Sequence, residues 1–253
     1  MKLKRSNIDI EIGNSDNAVK YNKTVLSNGL TIVSEEVPSV ESFSLGIGVG
    51  TGSRDDADTL GIAHFLEHSV YRRTKHRTSR QISNQFDTVG AYSNAYTTKE
   101  LTLFYVRATK KHFAATFDLL SDIVVNPVFK ANEISKERQI IVEEIKSYED
   151  DPEEYIFDLA DAVVFSESNL GNRIDGTVES LKKIKINALD NFHKSNYTPD
   201  NIVVAVAGNV NHNAVAELAE KYFQSGEHRR NGRIKATPSA AARQKTVYKP
   251  IQQ

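Results

Sequence analysis

The chain contains no cysteine and no tryptophan, and one methionine among 253 residues. Without cysteine there is no disulfide and no thiolate metal site, so a bound metal would have to be held by His, Asp or Glu. Excess charge of either sign is also missing: 32 Lys and Arg against 33 Asp and Glu leave a formal charge of −1. That balance removes the global electrostatic case for nucleic acid or an anionic membrane as a partner. No run approaches the roughly 20 apolar residues that a bilayer-spanning helix needs. The first residues, MKLKRSNIDIEIGNSDNAVKYNK, have basic side chains but no apolar run behind them, unlike a secretory signal, and their acidic residues argue against a transit peptide. A soluble, cytoplasmic protein is the expectation.

What is present is an ordinary globular balance, 39% hydrophobic and 26% charged, in a length that suits one large domain or one domain with extensions. Residues 23–36 form two β-prone runs around Ser27-Asn28-Gly29, a hairpin signal. An alternating strand with glycines follows at 42–53. The period then changes to helical through Ile62, Phe65, Leu66 and Val70, with Asp58 or Thr59 expected as the cap. A helix over 78–90 starts at Thr78 or Ser79 and stops at Gly90, and 91–107 reads as two strands around Thr98-Lys99. Helices are expected at 111–125, at 132–148 with Asn132 as N-cap, at 153–165 and near 178–195. NIVVAVAGNV, at 201–210, is nearly continuous in apolar residues and predicts a central strand covered on both faces, followed by an amphipathic helix at 213–223. From Ser225 to about Lys245 the composition turns to Arg, Gly, Ser, Ala and Pro without periodicity, as in a linker. The basic cluster HRRNGRIK (228–235) lies there without interleaved aromatics, a solvated segment rather than a nucleic-acid site.

The chemistry concentrates in HFLEH, residues 64–68. On a helix, His64 and His68 are four apart and share a face, about 6 Å apart at Cβ, so both imidazoles can converge on one ion. Glu67 is placed to reach a metal-bound water without ligating the metal. A hydrolytic zinc site needs three protein ligands and an open water position. The helix at 132–148 offers acidic candidates: Glu137, Ile141, Glu144 and Tyr148 fall on one stripe, whereas Glu143 is rotated about a quarter turn towards solvent. A carboxylate on a half-buried stripe requires a cation or strong donors.

H-x-x-E-H followed some 75 residues later by ERQIIVEEI resembles the insulinase, pitrilysin and mitochondrial processing peptidase family, whose zinc motif is inverted in this way. The resemblance covers roughly residues 22–223 and includes, in order, LSNGL, GSRDD…GIAHFLEH, GAYSNAYTTKELTLFY, NPVF, ERQIIVEEI…YEDDP and NYTPDNIVVAVAGNV. It implies an α+β fold, a mostly antiparallel sheet with helices largely on one face. It further implies zinc endopeptidase activity on small proteins or extended peptides, with one Zn²⁺ held by His64, His68 and Glu144. Glu67 would be the general base, and Glu137 an acidic residue behind the ligands. Asn94 and Ala95 would lie on an edge strand that takes up substrate by strand addition.

Two departures stand out. SVYRRT replaces the usual continuation after the motif, with Arg73 where glycine is common, and the chain stops at KPIQQ, where a second homologous half would begin. The implied organisation is an extension at 1–21, a catalytic domain at 22–224, and a linker with the start of a second half at 225–253. The implied partner is that second half or a dimer mate. The competing expectation is a non-catalytic metal-binding scaffold or regulatory subunit. A small-molecule lyase with the same motif would need a catalytic cysteine, which is absent.

Overall fold

The computed structural model describes residues 4–12, 19–56, 58–224, 233, 236–238 and 244–248. Seven strands form one sheet: β1 (Arg5–Ile12), β2 (Val19–Leu26), β3 (Thr31–Glu36), β4 (Ser42–Val49), β5 (Tyr92–Thr97), β6 (Thr102–Thr109) and β7 (Ile202–Gly208). Their order is β1-β2-β3-β7-β4-β6-β5, and every neighbouring pair is antiparallel except β3 and β7. The helices are α1 (Ile62–Val70), α2 (Ser79–Thr88), α3 (Phe113–Val125), α4 (Ala131–Asp150), α5 (Pro152–Val164), α6 (Val178–Lys183), α7 (Ile186–Asn196) and α8 (His212–Tyr222). The fold is therefore α+β with a mostly antiparallel sheet, as the motif order implies.

Alternation along the strands assigns the covered face. Phe43, Leu45, Ile47, Phe104, Val106, Val204 and Val206 are buried in one core with Phe65 and Leu66 of α1 and Phe117 and Leu120 of α3. Burial of such side chains contributes about 1.5–3 kcal/mol each. On β7 the alternate residues Val203, Ala205 and Ala207 are exposed. This corrects the expectation of a strand covered on both faces. Small Val and Ala side chains make both of its faces apolar, and apolar content alone does not reveal that one of them is open.

Other boundaries also differ from expectation. Residues 5–12, expected in an extension outside the domain, pair along their whole length with β2 and form an edge of the sheet. The alternation in NIDIEI is the period-2 signal for it. Lys130, not Asn132, precedes α4 as its N-cap. The region near 178–195 is two helices, because Ile184 and Lys185 are extended and the buried Ile184 side chain anchors the break. The linker expected at 225–253 lies for the most part outside the described residues. Of the basic cluster at 228–235, only Arg233 is described, and it pairs with Asp55 and donates to the Gly50 carbonyl at 2.9 Å. Among the described residues no helix is long and apolar enough to cross a membrane.

Candidate metal centre

Helix α1 carries the motif, and its apolar residues Ile62, Phe65, Leu66 and Val70 are buried. Its start is set by two residues outside it. Gly61 has φ 84°, and a Cβ there would come within 2.7 Å of the Asp175 carbonyl oxygen, so the loop at 175–176 can close onto the helix only with glycine at this position. The N-cap position is Gly61, and the capping carboxylate comes from Asp56 rather than from Asp58 or Thr59. That carboxylate accepts from the Gly61 N–H at 2.6 Å and the Ala63 N–H at 3.0 Å, satisfying donors that a helix start leaves open.

Burial pushes the Asp56 carboxyl up to about 7, against the opposing pull of those two N–H groups. Between the ordinary Asp value near 3.8 and about 7, the folded state holds a proton that the unfolded state has lost. Stability from this group therefore falls as pH rises through that window. Urea unfolding at pH 5 and pH 8 should show this loss in the wild type and a smaller one in Asp56→Asn. An equal pH dependence in the two proteins would remove the assignment.

Helix α4 brings the third group. His64, His68 and Glu144 each offer one ligand atom within 4.8 Å of the others, so the three can hold a metal ion. Glu144 Oε2 is 3.5 Å from His68 Nε2, and Glu144 Oε1 is 3.9 Å from His64 Nε2. Oε2 of Glu144 is buried with no hydrogen-bond partner, a costly state that a cation relieves. Burial and the neighbouring His68 lower His64 to about 3, which keeps it a neutral imidazole with a free lone pair. Burial opposes charge on His68 as well, but Glu137, Glu67 and Glu144 outweigh it and hold that imidazole above its usual value. The site is thus one that attracts positive charge.

Glu137 is almost wholly buried, 3.6 Å from His68 Nδ1, on the opposite side of the ring from Glu144. Its other oxygen contacts Arg72 Nε. A carboxylate behind a ligating imidazole orients the ring and raises its basicity. Along α4, Ile141 is buried, Glu144 half-buried, and Tyr148 reaches the cleft, while Glu143 is exposed and pairs with Lys146 at 2.7 Å. Arg73, at the position where glycine was expected, forms a two-pronged contact with Glu133 in the first turn of α4.

Glu67 is buried beside the two histidines, and its Oε2 accepts from the Thr97 hydroxyl at 2.6 Å. Burial raises this carboxyl, against the pull of Thr97. His64, Glu67, His68, Glu137 and Glu144 all line a cleft of about 820 Å³, whose other walls are β5 and α5. Among the described residues β5 is the last strand of the sheet, with one edge free. Ala95 alternates with Ser93 and Thr97 towards the cleft, whereas the Asn94 side chain is exposed, its oxygen accepting from the Ala95 N–H at 2.8 Å. Asn94 and Ala95 thus border the same cleft as the histidines. Lys99 pairs with Asp161 of α5 at 3.2 Å and joins the two walls at one end.

Residues 31–178 match the family model described as insulinase (peptidase family M16). The chain belongs to the M16 family. Residues 183–253 match a second M16 model, described as the inactive domain, which begins upstream of α7, β7 and α8. An uncharacterized zinc protease of Mycobacterium leprae is 38% identical over 217 residues, 85% of this chain and 48% of that protein. The beta subunit of the mitochondrial-processing peptidase of Neurospora crassa is 36% identical over 210 residues, 83% of this chain and 44% of that protein. The chain spans about half the length of such M16 relatives. A Helicobacter pylori protease shares the fold with a TM-score of 0.77 at 24% identity, over 87% of this chain and 53% of that one. Pitrilysin does so with a TM-score of 0.77 at 20% identity, over 88% and 24% respectively.

Proposed function

We propose that this M16 chain is the catalytic half of a zinc endopeptidase that hydrolyses peptide bonds in small proteins or extended peptides. The observation that carries the proposal is the meeting, in one cleft, of three convergent ligands, a buried carboxylate and a free strand edge. His64, His68 and Glu144 would hold the zinc. When bound, zinc supplies Lewis acidity and lowers the pKa of water towards neutrality. The chain supplies the rest. The free edge of β5 aligns an extended peptide by main-chain hydrogen bonds, and the small Ala95 leaves space beside the ligands. Glu67 takes a proton from the attacking water as the carbon–oxygen bond forms, and returns it to the amide nitrogen as the carbon–nitrogen bond breaks. His64, His68, Glu144 and Glu67 are all in place, which favours catalysis over a scaffold role.

Full activity requires a second homologous half to close the open side of the cleft, consistent with the half-length match to relatives. The purified 253-residue chain is expected to bind one zinc and to cleave a fluorogenic peptide more than about tenfold more slowly than the chain combined with that half, since water exclusion and positioning are then incomplete. Equal cleavage by the isolated chain would remove the requirement. No cleavage by the combination would remove the peptidase assignment.

A further inference from the structure

General-base catalysis depends on where the carboxylate oxygen is held, and a glutamate on a helix has three side-chain torsions to fix. Glu67 reaches from α1 across to the end of β5, where the Thr97 hydroxyl donates to its Oε2 at 2.6 Å, the length of a charge-assisted bond. Both residues are buried, 8% and 9% exposed, which limits competition from water.

The direction of the Thr97 proton is set by its neighbour. Thr102, paired with Thr97 across the ladder, donates its own hydroxyl proton to the Thr51 carbonyl at 2.9 Å, and the two hydroxyls are 3.5 Å apart. The carboxylate is therefore the short-range acceptor for Thr97. Thr51 is held in turn by the Asn201 amide at 2.9 Å.

The backbone mount is equally constrained. Ser53 N–H donates to the Thr98 carbonyl at 3.0 Å and Arg54 N–H to that of Lys99 at 2.9 Å, and a Cβ on Gly52 would lie 2.3 Å from the Thr98 oxygen.

We infer that Thr97 is the positioning residue for Glu67, fixing Oε2 so that Oε1 is the oxygen offered to the cleft. The inference rests on the peptidase assignment for its kinetic consequence but not for its geometry. Thr97 is two residues beyond Ala95 on the same face of β5. One strand would therefore set both the line of the bound peptide and the place of the base, and so the distance between the reacting carbonyl and the carboxylate.

The test compares Thr97→Val, which keeps shape and loses the hydroxyl, with Thr97→Ser, which keeps the hydroxyl, in the chain combined with its second half. Thr97→Val is expected to lower kcat about 10–100-fold with KM changed less than about twofold, the signature of misplacement rather than lost binding. Zinc content should stay at one per chain, and Thr97→Ser should recover most of kcat. Wild-type kcat in a folded Thr97→Val protein would overturn the inference, as would equal losses in both variants. Crystal structures of the zinc-loaded wild type and Thr97→Val give a second arm that needs no turnover. The Glu67 carboxylate should leave its wild-type rotamer in the variant, and an unchanged rotamer would overturn the inference. Absence of cleavage by the wild type would strike the peptidase assignment alone, leaving the crystallographic arm to decide on Thr97. If Thr97→Val does not fold, Thr97→Ala takes its place in both arms.

Discussion

Glu67→Gln is expected to lower peptide cleavage by about 10²–10⁴-fold while leaving the metal in place, because a general base contributes in that range. The two effects separate because Glu67 is not one of the three convergent ligands. Glutamine has the same shape, and its amide oxygen can still accept from the Thr97 hydroxyl, so the buried environment of α1 is retained. What is lost is the basic lone pair that takes the proton in the proposed mechanism. Turnover of a fluorogenic peptide by the chain combined with the proposed second half, alongside zinc content by elemental analysis, reads both quantities. Undiminished turnover would remove Glu67 from the mechanism. Loss of the metal together with turnover would move it into the ligand set.

Glu144→Gln is expected to act in the opposite order, on the metal first. The substitution replaces the carboxylate, whose Oε2 lies 3.5 Å from His68 and Oε1 3.9 Å from His64, with a neutral amide. Affinity should fall by more than the roughly 10–100-fold that changes behind the ligands cost, since Glu144 is proposed as a ligand itself. Glu143→Gln, one position away on the exposed face and paired only with Lys146 among the described contacts, is the control and should change nothing. Competition with a chromophoric chelator measures both variants. Full metal retention in Glu144→Gln would count against the ligand assignment.

The choice of Glu144 over Glu143 could be made from the sequence because it depends only on helical period: Glu144 shares a stripe with Ile141, and Ile141 is fully buried. The histidine pair was legible for the same reason. The cap of α1 was not. Asp56 reaches Gly61 and Ala63 from across a loop, so no fixed spacing announces it, and Asp58 and Thr59 were nearer the expected position. The contact of Arg72 with Glu137 depends on how α1 packs on α4, which local pattern does not encode. Thr97 lay between these cases. Alternation from Ala95 puts it on the cleft face, but only the approach of α1 to β5 turns that placement into a bond with Glu67. Arg73 gave no helical or strand signal, and its partner Glu133 is 60 residues away. The open face of β7 was misread because Val and Ala satisfy a core and tolerate water equally well at single positions.

The free edge of β5 has a further consequence. A strand edge left open for one extended chain is open to any other, including the edge of a second copy, and such edges are where β proteins aggregate. The hydrogen bond from the Ala95 N–H to the Asn94 side chain occupies one of the donors that a stray strand would use. Asn94 in this light shields the edge at that position, because its own side-chain oxygen already takes up the Ala95 N–H.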